Sequence, residues 1–179
     1  MAVVHLGHEV ALRELLRTDA AALADAYRTN RARLAPWEPL RQESFFTDSG
    51  QQSEVDALLE DRGAGIAAPF VLVHGGRIVG RVNLSGIVRG AFQSANLGYW
   101  IDAGYGGRGL MTAAVDAVAE IAVRDLRLHR LQAGTLLRNS ASQAVLRRCG
   151  FAEIGVAERY LRIAGEWQDH LLFQRILAD

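Results

Sequence analysis

Gly104-Tyr105-Gly106-Gly107-Arg108-Gly109-Leu110 separates a strand-like run ending at Ile101 from a helix-like run beginning at Met111. Glycine lacks a Cβ, so successive backbone N–H groups can converge on an anion, and a helix that starts there adds unpaired N–H groups and partial positive charge. The junction therefore reads as a cradle for a diphosphate, and the spacing limits which one. A nucleoside triphosphate loop ends in lysine followed by serine or threonine, but Leu110 follows Gly109 and the chain has no lysine. A dinucleotide fingerprint needs a third glycine three residues after Gly109, where Thr112 stands. What survives is the pattern x-x-Gly-x-Gly opening a helix, or a plain flexible turn before one.

Composition narrows the class of protein. The chain has 179 residues, 50% of them hydrophobic, which suits one globular domain spanning residues 1–179. Acidic and basic residues balance at 20 each, so no bulk field draws the protein to nucleic acid or to an anionic membrane. Direct nucleic-acid or membrane partners are not expected. Every cationic side chain other than histidine is arginine, a planar fork suited to phosphates and carboxylates. The lone Cys149 has no internal disulfide partner, and neither a secretory signal nor a bilayer-length apolar run is visible, so a reducing cytoplasm is expected. Cys149 itself reads as a small buried packing residue. His5 and His8 lack a third ligand, and no metal is expected.

Along the chain, Glu9 to Leu12 reads as a short strand, and Thr18 as the N-cap of an alanine-rich helix through Tyr27. Arg31 to Phe46 is irregular, broken at Pro36-Trp37-Glu38-Pro39, and a second helix runs from Ser49 or Ser53 to Asp61. Phe70 to His74 and Arg77 to Leu84 form a hairpin around Gly75-Gly76, followed by a strand from Ala95 to Ile101. In the helix after the glycine cluster, Thr112, Asp116, Glu120 and Arg124 make one narrow polar stripe, with Glu120 and Arg124 spaced to pair. Arg130 to Leu136 is a core strand, Asn139 or Ser140 caps a short helix, and Phe151 to Ile163 and Gln168 to Leu177 close the chain as two strands.

This order of elements, with the glycine loop, resembles the GCN5-related N-acetyltransferase superfamily along essentially the whole chain. Leu97-Gly98-Tyr99-Trp100-Ile101, Gly107-Arg108-Gly109-Leu110-Met111, His129-Arg130, Asn139-Ser140-Ala141-Ser142, Cys149-Gly150-Phe151 and the stretch from Tyr160 to His170 are similar to the RimJ/RimL-type ribosomal-protein N-terminal acetyltransferases. The resemblance implies a mixed α+β acetyltransferase fold. Its sheet of about seven strands is mostly antiparallel, with one splayed parallel pair, and about four helices flank it. It implies acetyl-coenzyme A as acyl donor, with pantetheine along the strand at Trp100, Ile101 and Asp102. The pyrophosphate would lie on Gly106, Gly107, Arg108, Gly109, Leu110 and Met111. Asn139 and Ser142 match that group's Asn-x-x-Ser element, in which the asparagine contacts coenzyme and the serine protonates the departing thiolate; helix capping alone also accounts for both.

The acceptor side is less defined. Trp37, Glu38, Asn96 and Tyr160 are the expected substrate-binding residues. The family frequently has glutamate where Asn96 stands, and asparagine cannot accept a proton, so Glu158 and Glu38 are the candidate bases, acting through a water. An α-amine titrates at about 7.7 to 8.0 against about 10.4 for lysine, so on the order of a tenth is already neutral at pH 7. Alignment of amine and thioester then supplies much of the acceleration. The implied acceptor is a protein N-terminus, a ribosomal protein being the group's example, taken by a monomer or homodimer. A small-molecule amine or antibiotic, succinyl-coenzyme A as donor, and a non-catalytic coenzyme A sensor all stay open.

Overall fold

The computed structural model describes residues 3–178. Its eight strands form one sheet: β1 (Val4–Gly7), β2 (Val10–Glu14), β3 (Ala67–His74), β4 (Arg77–Val88), β5 (Ser94–Ile101), β6 (Arg130–Leu136), β7 (Ala152–Ile163) and β8 (Glu166–Ile176). The spatial order is β1-β2-β3-β4-β5-β6-β8-β7, antiparallel everywhere except between β5 and β6. Parallel neighbours need a crossover, and the helix α3 (Leu110–Arg124) provides it. Three more helices, α1 (Ala20–Leu34), α2 (Asp48–Gly63) and α4 (Ser140–Arg148), complete the mixed α+β fold.

The central strands of the sheet are buried on both faces. On one, Leu23, Tyr27 and Leu34 of α1 and Val55 of α2 pack on Val71, Ile78 and Trp100. On the other, Leu110, Ala114, Val115, Val118 and Ala122 of α3 and Leu146 of α4 pack on Leu72, Leu84, Leu97 and Leu131. Each fully buried aliphatic side chain of this kind contributes about 1.5–3 kcal/mol.

The feature that positions the site is a failure of pairing. The parallel ladder consists of Ser94↔Arg130, Ala95↔Leu131 and Asn96↔Gln132, and stops there. Beyond it, β5 stays with β4 as far as Gly80↔Ile101, and β6 stays with β8 as far as Leu136↔His170. Each strand follows its own antiparallel partner, so the two diverge and leave backbone N–H and C=O groups along facing edges.

Several expectations need correction. A strand at Val4–Gly7 precedes the predicted first one; it is short and half exposed, so no hydrophobic run marks it. Glu9 is not in a strand: Gly7, His8 and Glu9 all take positive φ and turn the chain, and β2 starts at Val10. Thr18 does not cap α1. It lies in a 3-10 turn, Arg17–Asp19, in which the Asp19 carboxylate accepts from the Leu16 N–H at 2.8 Å and from the Arg13 fork at 2.7 and 2.8 Å. The helix then continues past Tyr27 to Leu34 because Asn30, buried, donates to Asp102 across the fold at 2.8 Å. In α3, Arg124 grips Asp125 at 2.8 and 3.0 Å, and Glu120 adds only a weaker electrostatic attraction.

Candidate active site

The glycine cluster folds as two left-handed corners. Gly107 and Gly109 have φ of 74° and 75°, and Gly109 is the residue before α3, contributing no side chain to cap it. The first-turn N–H groups of α3 therefore stay available at a positive helix end. Tyr105 anchors the loop through a 2.6 Å hydrogen bond between its phenol and His74 Nδ1. The Asp102 carboxylate accepts from the Gly104 N–H and the Asn30 amide, both at 2.8 Å.

Two cavities run through the gap between β5 and β6. One, about 540 Å³, extends from the glycine loop past Met111 and Thr112 to Ala141, Val145 and Arg148. The other, about 310 Å³, opens on the α1 face. Its floor is Arg81, Asn83, Gly98, Gly134 and His170, and its wall is Tyr27, Glu38 and Arg41. They share Leu34, Trp37, Tyr99, Trp100, Asn139 and Ser142 as a common boundary. Strand alternation explains the partition: Gly98 and Trp100 face α1, while Tyr99 between them faces α4.

At the boundary, Asn139 Oδ1 accepts from the Ser142 N–H at 3.1 Å, capping α4. The Ser142 hydroxyl, half-buried, lies 2.8 Å from the Tyr99 phenol, which donates to the Ser142 carbonyl at 3.0 Å. Burial pushes the Tyr99 phenol well above its ordinary range, so it stays protonated. Glu38 is half-buried, and burial raises its carboxyl pKa, although Arg41 and Arg81 oppose the rise. Its carbonyl accepts from Ala164 N–H at 2.9 Å, which ties the irregular segment to the turn between β7 and β8. Trp37 lies under the Arg138 guanidinium, 5.4 Å from the ring centre. Cys149 is 3% exposed and its thiol is pushed up to about 12, chiefly by burial, which makes it an inert packing group.

The expected site residues divide sharply. Trp100, Ile101, Gly106, Gly107, Gly109, Leu110, Met111, Asn139, Ser142, Trp37 and Glu38 all line one cavity or both. Asp102 does not, because both its oxygens are used within the fold. Arg108 is exposed and stacks over Tyr105 at 5.5 Å, and does not line the 540 Å³ cavity. Asn96 ends the parallel ladder, with its amide beside Gly86 of the bulged β4 and away from the pockets. Glu158 is exposed in the β7 bulge between Ala157 and Leu161. Tyr160, 42% exposed, packs beside the cavity, with its ring 5.6 Å from that of His170.

Sequence reasoning missed Tyr99, Arg81, Asn83 and His170. His170 is 3% exposed and its Nδ1 lies 2.9 Å from the Gln168 carbonyl. A carbonyl only accepts, so in the neutral ring Nδ1 carries the hydrogen and the lone pair is on Nε2. The alternation of β5 around Gly98 was the available signal for Tyr99; Arg81 and His170 had none without the strand pairing. Among the described residues no cluster of His, Cys, Asp and Glu can hold a metal.

A parallel pair splayed over a glycine-capped helix, with a second pocket meeting the first at an Asn-x-x-Ser element, defines an N-acetyltransferase. The chain belongs to the GNAT family: the Acetyltransferase (GNAT) domain matches residues 9–152. It is 40% identical over 156 residues to the [Ribosomal protein uS5]-alanine N-acetyltransferase of Escherichia coli, covering 86% of this chain and 80% of that protein. It is 32% identical to the probable N-acetyltransferase YjcK of Bacillus subtilis, over 97% of both chains. Among solved structures, the ribosomal-protein-S5-alanine acetyltransferase of Vibrio fischeri superposes with a TM-score of 0.95 at 34% identity, over 100% of this chain and 98% of that one. RimJ of Mycobacterium smegmatis, in complex with CoA-disulfide, superposes with a TM-score of 0.89 at 32% identity, over 93% and 81%.

Proposed function

We propose that this chain moves the acetyl group of acetyl-coenzyme A to the N-terminal α-amine of a ribosomal protein, alanine-first as in its uS5-directed relatives. The observation that carries this reading is the shared boundary of the two cavities: one opens on the α1 face, the other at the glycine loop, and Tyr99, Trp100 and Ser142 line both, where donor and acceptor would meet. Direct attack then needs no covalent enzyme intermediate. The pyrophosphate rests on the N–H groups from Gly107 to Met111, and the pantetheine amides pair with the unpartnered edge of β5. The amine nitrogen attacks the thioester carbonyl, whose oxygen gathers charge near backbone donors of that edge. Glu38, its pKa raised by burial, takes the amine proton directly or through a water. As the carbon–sulfur bond breaks, the thiolate takes a proton from the Ser142 hydroxyl, which recovers one from water. Tyr99, held protonated, orients that hydroxyl rather than surrendering a proton. A ribosomal acceptor places the enzyme in the cytoplasm; among the described residues no helix is long and apolar enough to cross a membrane.

The test is thiol release from acetyl-coenzyme A and from succinyl-coenzyme A against peptides with varied first residues, polyamines and amino sugars. Alanine-initiated peptides with the acetyl donor should turn over fastest. Turnover of polyamines or amino sugars without peptides would overturn the acceptor assignment, and tight coenzyme binding with no release from any amine would favour a sensor.

A further inference from the structure

The acceptor pocket has a cation at its floor. Arg81 is 7% exposed, on β4 opposite Trp100. Its Nε donates to Asn83 Oδ1 at 3.0 Å and its Nη1 to the Tyr27 phenol at 3.1 Å. Among the described residues no carboxylate comes within ion-pair distance, and Nη2 meets no hydrogen-bond partner. Nη2 is not among the buried polar atoms left without a partner, so it opens to the cavity, where Glu38 exerts an electrostatic pull short of an ion pair, and a planar fork with a spare edge fits an oxygen ligand.

The fork is also held rigidly. Tyr27 accepts from Trp100 Nε1 at 3.2 Å as well as from Arg81, and its ring packs against Trp100 and Phe45 at 5.2 and 4.8 Å between centroids. Groups fixed before substrate arrives lose little entropy on binding it. Gly98 and Gly134 lack side chains that would cover the floor between Arg81 and His170. Across the same cavity stands Glu38, the one carboxylate among its described lining residues. The pocket thus offers an anion to an amine and a cation to an oxygen close to that amine.

We infer that Arg81 is a specificity-determining residue that receives the first peptide carbonyl of the acceptor, so that the pocket selects an amine with a carbonyl on its adjacent carbon. An N-terminal α-amine carries that carbonyl. A lysine side chain, a polyamine or an amino sugar does not, and each would leave the buried fork unmatched. This rests on the peptide-acceptor reading above and names the feature of the peptide that is read.

The experiment compares an alanine-initiated peptide with the same peptide carrying an (E)-alkene in place of its first peptide bond, which removes the carbonyl oxygen and keeps the shape; because the alkene also raises the amine pKa, every kcat/KM is taken per neutral amine. The intact enzyme should prefer the true peptide in kcat/KM by about ten- to a hundredfold, the range of a hydrogen bond to a charged group. In Arg81→Met that preference should shrink to within about threefold, with acetyl-coenzyme A affinity unchanged as the check on folding. Equal turnover of the two acceptors by the intact enzyme overturns the inference without needing any variant. A preference that persists in Arg81→Met, or an equal fall on both acceptors, also overturns it. If the intact enzyme acetylates no peptide at all, the peptide-acceptor reading fails, a result distinct from acetylation without carbonyl preference.

Discussion

At Ser142 the folded site separates backbone from side chain: the N–H serves the Asn139 cap and the hydroxyl meets the Tyr99 phenol at 2.8 Å. The capping energy thus resides in the backbone and survives truncation of the hydroxyl. Ser142→Ala should therefore lower kcat about tenfold or more and leave acetyl-coenzyme A affinity within about threefold, as measured by steady-state kinetics and calorimetry. Unchanged kcat would reduce Ser142 to a helix cap. Tyr99→Phe, which frees the Ser142 hydroxyl from its 2.8 Å contact, should lower kcat by a smaller factor. Glu38 makes a prediction in pH. A base works when ionised, and burial raises its pKa, so kcat/KM should climb through a limb above the ordinary carboxylate range of about 4.3. A second limb, from the acceptor α-amine, lies higher. Glu38→Gln should lose the first limb, keep the second, and cost on the order of a hundredfold in rate. The sequence placed Glu38 in the acceptor pocket but ranked Glu158 beside it as a base. The β7 bulge that turns Glu158 to solvent is a property of strand pairing, absent from local sequence.

Among the elements, α2 shows how propensity and packing part company. Gly50 is the third residue of a helix capped by Thr47, whose hydroxyl accepts from the Gly50 N–H at 3.0 Å. A Cβ at Gly50 would come 1.8 Å from the Ser44 carbonyl oxygen, whereas at Gly63, the last residue of the same helix, it meets nothing within 4 Å. Helix propensity favours alanine by about 1 kcal/mol at either position. Gly50→Ala should nonetheless destabilise the protein by about 1–3 kcal/mol, because backbone must move. Gly63→Ala should be neutral or stabilising by up to about 1 kcal/mol. Chemical denaturation of both variants checks the contrast, and stabilisation of Gly50→Ala would refute it. The glycine loop, α3, α4 and the hairpin strands were legible because periodicity, caps and turn glycines all agree there. The end of α1 was not, since the buried Asn30–Asp102 bond that favours its last turns links residues 72 apart in sequence.

At the scale of the whole molecule, the donor groove joins β5, α3 and α4, so coenzyme binding should brace elements that the sheet leaves splayed. At a free concentration of about a hundred times its dissociation constant, acetyl-coenzyme A should add about 2.7 kcal/mol to unfolding stability, visible as a rise in Tm. Gly109→Val should abolish that rise, while costing the free protein about 1–2 kcal/mol of backbone strain. Gly109 sits at a φ of 75°, where a branched side chain is strained, with open space around its Cβ position. An unchanged thermal response would refute the assignment of the loop to pyrophosphate. The sequence by itself determined the proposed donor half of this protein: the glycine cradle, the strand and helix around it and the Asn-x-x-Ser element are contiguous or nearly so, and backbone geometry set by local residues shapes the cradle. Only the tertiary structure decided which residues join Trp37 and Glu38 in the second pocket. Arg81, Glu38, Trp100 and His170 come from β4, the segment after α1, β5 and β8, and converge because each diverging strand follows its own antiparallel partner. Their charges and lone pairs acquire meaning from burial and from one another, and neither is written in the spacing of residues along the chain.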